Sequence, residues 1–248
     1  RDYLKELGFL KLKDNKYFES LFPRYNAIIN TQEYNFHALN KNTKNKIRKG
    51  IKRGLAFEKK DRDSLDIFYQ FIKNQKDIDA FYYKNYYNVF DRNHAADLFL
   101  VKIDFEQYLL NSKRLYDEEQ LRNSVISEKL IHNSSEANIK EKMNSDRILL
   151  SYKNDIEFAT KGLRENKELY IGGAFVIRYL NRVHMAISGY DPKFRYFNPN
   201  YFLHYQIIEY YKNNFKFIDL NGLTGDFTKD NPYRGLNEFK LGFKPHVY

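Results

Sequence analysis

Between Gly54 and Gly162 the chain has no glycine, and between Pro23 and Pro192 it has no proline. A stretch of that length without either backbone breaker cannot make many tight turns, so the centre of the protein is expected to be long helices with few connections. Within it, RDSLDIFYQFIKNQK, residues 62 to 76, places Leu65, Phe68, Phe71 and Ile72 on one face at the spacing of an amphipathic helix, with Asp63 or Ser64 as its cap. Residues 105 to 166 are long, charged and nearly free of aromatics after Tyr116. In their second half Leu149, Tyr152, Ile156, Ala159 and Leu163 alternate by three and four, which lays a narrow apolar seam along a helix. Leu115, Leu121 and Val125 give the first half a less regular seam, and IHNSSEAN, residues 131 to 138, supplies a polar break between the two. This predicts an antiparallel helical hairpin projecting from the body, with two ordinarily packed helices as the alternative.

After Gly162 the pattern changes. LYIGGAFVIRYLNRVHMAISGYD reads as two strands, about 169 to 179 and 182 to 188, reversing near Asn181. PNYFLHYQIIEYYKNN reads as an aromatic-rich helix, FKFIDL as a strand and NGLTGDFTKDNPYRGLN as a long loop. With further strands near 55 to 58 and 97 to 103, the expected class is α/β of the α+β kind, a mixed sheet interrupted by the helical hairpin. The head, residues 1 to 36, carries a strand-like LFPRYNAIIN with no evident partner. With 22 Tyr and 21 Phe and no Trp, aromatic rings must fill much of the core.

The absence of cysteine rules out disulfides, thiolate metal sites and cysteine nucleophiles, and fits a reducing compartment. No apolar run approaches a membrane span, so any membrane contact would be peripheral, and RDYLKELGFLKLKD lacks the apolar core of a signal peptide. A cytoplasmic protein is expected. The histidines at 37, 94, 132, 184, 204 and 246 show no ligand spacing, and neither GxxxxGK[ST] nor GxGxxG is present. No metal and no cofactor is expected. The net charge of +10 favours a polyanionic partner, and from Asn40 to Phe57 there is no acidic residue among Lys41, Lys44, Lys46, Arg48, Lys49, Lys52 and Arg53. A helix over 43 to 54 is expected, with Thr43 as its cap and Ile47 and Ile51 inward. Lys44, Arg48 and Lys52 would then meet phosphates, or form a solvated face.

Taken together, NKNTKNKIRKGIKRGLAFEK, DIFYQFI, the helical hairpin, GGAFVIRYLNRVHMAISGYD, FIDLNGLTGDF and GLNEFKLGF resemble the Fem family of peptidoglycan aminoacyltransferases, FemA-, FemB-, FemX- and MurM-like, from about Phe22 onward. The resemblance implies two acetyltransferase-like domains, the second interrupted by a coiled-coil arm. Residues 1–36 would be a remnant of the first, 37–104 and 167–248 the second, and 105–166 the inserted hairpin. Most of a first domain should then precede the segment around residue 22, and the residues after His246 look cut short, so a fragment is expected. The implied activity moves an amino acid from an aminoacyl-tRNA to an amine on a UDP-linked or lipid-linked peptidoglycan precursor. The missing glycine-rich loop of coenzyme A users agrees with a different acyl donor. A noncatalytic RNA- or polyanion-binding protein on the same fold is the alternative.

The family's terminal Phe-Lys pair matches Phe239 and Lys240. Aminolysis of an ester passes through a tetrahedral oxyanion, and the implied role of Lys240 is to stabilise it, with Phe239 and Phe243 orienting the lysine and excluding water. By itself, a lysine between two phenylalanines reads equally as one that lays its methylenes on the rings and keeps its charge in water. Tyr190, Arg195, Tyr196, Asn198 and Tyr201 fall in a sharply turning loop and helix start, where polar side chains can converge on a phosphate or peptide, or simply face solvent. Asp219 and Asn221 end the FIDLNG strand, either placing a proton-accepting carboxylate at the sheet edge or forming a turn.

Overall fold

The computed structural model describes residues 25–73, 79–224, 226, 228 and 230–248, and Glu6 before them. Their elements in chain order are β1 (Tyr25–Asn30), α1 (Lys41–Lys52), β2 (Leu55–Lys60), α2 (Leu65–Ile72), α3 (Ala80–Asp91) and β3 (Ala96–Ile103). There follow α4 (Phe105–His132), α5 (Glu136–Arg164), β4 (Leu169–Tyr179), β5 (Arg182–Tyr190), a 3-10 turn (Pro192–Phe197) and α6 (Pro199–Tyr211). Last come β6 (Phe217–Leu223), α7 (Arg234–Leu241) and β7 (His246–Val247). The strands form one mixed sheet in the order β2-β3-β4-β5-β6-β1-β7. The chain divides into two compact units, one of Asn45–Val176 with Ile187–Ile207, the other of Arg1–Lys44, Ile177–Ala186 and Ile208–Tyr248.

In the first unit, β2 and β3 pair antiparallel from Leu55↔Ile103 to Lys60↔Leu98. The sequence ADLFLVKI of β3 is buried along nearly its whole length, the near-continuous apolar run of a strand covered on both faces. Leu65, Phe68 and Ile72 of α2 and Tyr83 and Tyr87 of α3 turn inward, the Tyr87 ring lying 5.4 Å from Phe175. Gly54 leads into β2 with φ of +66°, and a Cβ there would lie 2.6 Å from the Tyr108 backbone nitrogen, so neither conformation nor space admits a side chain.

The long breaker-free segment is the expected pair of helices, reversing at Asn133–Ser135. Asp104 and Ser135 cap them by accepting from the N–H groups of Gln107 and Asn138. The seam of α5 follows the sequence pattern, with Ala159 fully buried. That of α4 does not: Leu121 and Val125 are 72% and 50% exposed. Their places are taken by a polar layer, in which Ser145 Oγ donates to Glu119 at 2.6 Å while Asn123 Nδ2 donates to Ser145 Oγ at 3.0 Å. The inward stripe runs through this layer to the buried Ile126, so the search that picks Leu121 and Val125 selects the wrong stripe. At its root the hairpin is aromatic. Tyr108 is wholly buried with its ring 5.2 Å from Phe197, and Phe105 lies so close to Gly162 that a Cβ there would sit 2.3 Å from the ring.

In the second unit, β6 lies between β5, which it pairs parallel, and β1, which it pairs antiparallel, with β7 on the other side of β1. The strand-like head segment therefore has partners after all, Ile29 facing Ile218 and Ala27 facing Val247. Such distant pairing leaves no local mark in the sequence. The β5–β6 ladder runs only from Arg182↔Phe217 to His184↔Asp219. On the other side of β6 the register shifts between Asn26 and Ile28, and Asn221 takes φ of +70°. This is a β-bulge, which re-aims the groups around it. Residues 234–241, expected to be loop and an aromatic turn, are instead the helix α7. No side chain caps it; what holds it is the hydrogen bonding of its inner face, described next, which no local propensity encodes.

Candidate functional site

Lys240 is 6% exposed, and its Nζ donates to the Gly222 carbonyl at 2.6 Å. Gly222 stands beside the bulge, in register with Asn26 of β1. Burial depresses the ammonium pKa to about 8, opposed by the nearby Asp219 charge. Near neutral pH Lys240 is thus still charged, buried, and has one hydrogen-bond acceptor among the described residues. An ammonium has three donors, so two remain for another oxygen. The snorkelling alternative fails, because the charge does not reach water.

This burial has a pH signature. The folded pKa, about 8, lies below the ordinary 10.5, so from about pH 8 to 10.5 the unfolded chain binds more protons than the folded one and stability rises with pH. Below that window the buried charge costs the fold on the order of 3 kcal/mol. Lys240→Met removes the titration, so urea midpoints of the two proteins at pH 7 and pH 10 should diverge in the wild type's favour at the higher pH. An unchanged difference would mean an ordinary lysine.

A buried polar cluster sets the position of α7. Asn237, one helical turn before Lys240, accepts from the Thr224 N–H at 3.1 Å and donates to Thr224 Oγ1 at 2.7 Å. Asn231 donates to the same hydroxyl at 2.8 Å, and that hydroxyl donates to the Asp226 carbonyl at 2.9 Å. Thr224, Asn231 and Asn237 are all at least nine-tenths buried. They belong to the segment whose composition reads as a solvated loop. The only sequence signal for them is a set of amide and hydroxyl side chains at intervals that no local motif explains.

Asp219 is 4% exposed and lies within an interior strand, so it is neither at a sheet edge nor in a turn. Burial pushes its carboxyl pKa up, but His184, the Asn221 N–H and Arg182 outweigh burial and hold it below the usual range. Its Oδ1 accepts from Asn221 N at 2.8 Å, while Oδ2 lies 3.4 Å from His184 Nδ1 and 4.0 Å from Arg182. A carboxylate held ionised in this way is a poor proton acceptor, which corrects the expectation for Asp219. Phe243 is buried and Phe239 half-buried, their rings edge to face at 5.6 Å. A cleft of about 190 Å³ in the same unit, lined by Ile29, Leu39, Phe243 and His246 among others, includes Phe243 but neither Lys240 nor Phe239.

The first unit holds the second group of expected residues. Tyr190 ends β5 half-buried, and Arg195 is exposed in the 3-10 turn. Tyr196 is brought to Arg53, which donates to its carbonyl at 2.5 Å, stacks 5.0 Å from its ring and lies 3.8 Å from Asp155 of α5. Asn198, at φ of +57°, closes the turn and donates to the Tyr196 carbonyl at 3.3 Å. The Tyr201 hydroxyl accepts from Lys46 at 3.0 Å. Composition places Arg53 and Lys46 in a basic cluster; the fold turns both onto this loop.

The basic helix α1 begins at Lys41, with Lys44 N–H bonded to the Asn40 carbonyl, so Thr43 is an internal, buried residue and not a cap. Its inward stripe is Thr43, Ile47 and Gly50; Ile51, expected inward, is 46% exposed. Lys44 donates to the His37 carbonyl at 2.7 Å, while Arg48 and Lys52 are exposed. Among the described residues no cluster of three or more His, Cys, Asp or Glu could hold a metal, and no helix is long and apolar enough to cross a membrane.

Residues 2–248 match the family model described as the FemAB family. A Staphylococcus aureus protein named lipid II:glycine glycyltransferase is 25% identical over 252 residues, covering 96% of this chain and 60% of that protein, and its counterpart in strain USA300 gives the same figures. The crystal structure of FemX superposes with a TM-score of 0.66 at 20% identity, over 99% of this chain and 65% of that one. The chain thus spans about 60% of the length of the curated relatives it matches.

Proposed function

The chain belongs to the FemAB family, and we propose that its protein transfers the aminoacyl group of an aminoacyl-tRNA to an amine on the peptide of a peptidoglycan precursor. The observation that carries this reading is the buried Lys240 ammonium, held by Gly222 with donors to spare. Charge develops on the ester carbonyl oxygen only as the amine adds, so a fixed cation in a desolvated setting favours the transition state over the ground state. The ester is already activated, and no nucleophilic side chain is required. Phe239 and Phe243 would wall the lysine, and in their own unit Tyr190, Arg195, Tyr196, Asn198 and Tyr201 would be substrate-binding residues. In this reading residues 37–104 and 167–248 form an acetyltransferase-like domain and 105–166 a coiled-coil arm, working in the cytoplasm. The S. aureus relative's name makes glycine and lipid II the first substrates to test. Full-length protein given radiolabelled glycyl-tRNA and lipid II should label the lipid; binding of both without transfer would favour a noncatalytic protein.

The proposed donor also predicts a salt dependence. Replacing Lys44, Arg48 and Lys52 with glutamine should weaken tRNA binding and reduce the slope of log affinity against log salt, by roughly 0.7 to 0.9 for each phosphate that is no longer neutralised. The Lys44 bond to His37 makes it the smallest contributor of the three. A slope identical to wild type across a salt titration would remove α1 from the interface.

A further inference from the structure

We propose that His184, backed by Asp219, is the base that takes the proton from the attacking amine. The inference rests on the transfer reaction above and supplies its missing proton acceptor. An amine that adds to an ester carbonyl becomes an ammonium in the tetrahedral adduct, and unless it loses a proton the adduct reverts, because a neutral amine is a better leaving group than an alkoxide.

Three titratable groups meet where β5, β6 and α7 come together. Lys240 must keep its proton to stabilise the oxyanion with the donors that Gly222 leaves it, so it cannot also accept one. Asp219 is buried and held ionised, with both oxygens engaged. His184 remains. Its side chain is 38% exposed, so a substrate can reach it. It stands on β5 directly beside Asp219 in the parallel ladder, as the last pair before the two strands stop pairing.

The charged groups recorded at the Asp219 carboxylate are Arg182, on β5 with His184, and Lys240 on α7. With Asp219 Oδ2 3.4 Å from Nδ1, the neutral ring carries its proton on Nδ1 and presents the Nε2 lone pair. The carboxylate fixes that tautomer and orients the ring, as the buried aspartate does in a catalytic triad. The same bulge joins this pair to the oxyanion group. Its N–H at Asn221 holds Asp219, and its carbonyl at Gly222 holds Lys240.

In the step proposed, the amine nitrogen bonds to the ester carbon and its proton passes to His184 Nε2. The carbonyl double bond re-forms as the ester C–O bond breaks, and the imidazolium returns the proton to the departing ribose oxygen. The products are an amide and free tRNA, with no net proton change.

The test uses full-length protein, radiolabelled glycyl-tRNA and lipid II in single-turnover and steady-state assays across pH. His184→Gln should lower kcat by about 100-fold or more with KM nearly unchanged, and abolish the rising limb of the pH–rate profile that wild type shows. His184→Ala should be partly rescued by added imidazole. A His184→Gln enzyme within twofold of wild type, with the same rising limb, overturns the proposal. So does a ring that nitrogen NMR of the wild-type protein shows protonated on Nε2 when neutral, a reading that needs neither variant nor turnover. Wild-type protein that binds both substrates and transfers nothing overturns the aminoacyltransfer reading itself, and the base role with it. Wild-type transfer with an undiminished His184→Gln enzyme overturns the base role alone.

Discussion

Replacing Lys240 with alanine in the full-length protein is expected to lower turnover by on the order of a hundredfold while precursor binding stays nearly intact, the pattern of an interaction made mainly in the transition state. Two further substitutions separate charge from packing. Lys240→Met keeps much of the volume and loses the buried charge, so it should fold at least as well as wild type and be as inactive as the alanine variant. Lys240→Arg keeps the charge, but a planar guanidinium cannot occupy the point position of an ammonium 2.6 Å from the Gly222 carbonyl, so rescue should be poor. Steady-state kcat and KM on glycyl-tRNA and lipid II measure all three. Full activity of the alanine or methionine variant would leave this lysine a structural role only.

Removing the whole hairpin, residues 105–166, is expected to unfold the protein, whereas removing residues 116–149 behind a short glycine-serine linker should leave a cooperatively folding body with impaired tRNA use. The difference lies in three rings. Phe105, Tyr108 and Phe158 belong to the root, where Tyr108 is wholly buried and packs with Phe158 and Phe197. Truncating one such ring costs roughly 3–5 kcal/mol, and a domain's whole stability is about 5–15 kcal/mol, so losing all three consumes the margin. Leu115 and Leu150 flank the shorter cut on facing helices, a span of about 10 Å that a few residues bridge. The distal part is held by surface pairs such as Arg122–Glu141, by the Glu119–Ser145–Asn123 layer and by the buried Ile126, all on the hairpin itself. Thermal unfolding of both deletions is the measurement. A folded body without residues 105–166, or a collapsed one without 116–149, would overturn this account.

Local rules made much of the architecture legible. The long gap without glycine or proline led to the two helices, because breakers act on the backbone of their own residue wherever they stand. The alternation around Asn181 led to the β4–β5 hairpin, and six segments from NKNTKNKIRKGIKRGLAFEK to GLNEFKLGF together led to a family that the family model bears out. The errors share one origin. Leu121 and Val125 are apolar but exposed because a polar layer holds α4 to α5; Thr43 lies buried inside a helix whose start was misplaced by two residues; 234–241 is helical although its composition reads as loop. In each case hydrogen bonds or packing against distant residues outweigh local preference by more than the few tenths of a kcal/mol that propensity supplies.

The chain's sequence alone determined most element types other than the helix at 234–241, the hairpin and the identity of the lysine worth testing, since these follow from periodicity, breakers and short motifs. Only the tertiary structure decided what that lysine can do. Its burial, its bond to Gly222 beside the β6 bulge and the pairing of Asp219 with His184 across the β5–β6 ladder are contacts between residues far apart in the chain. A pKa is set by the dielectric and the charges around a group, and those are supplied by residues tens of positions away, brought together when the sheet closes on them.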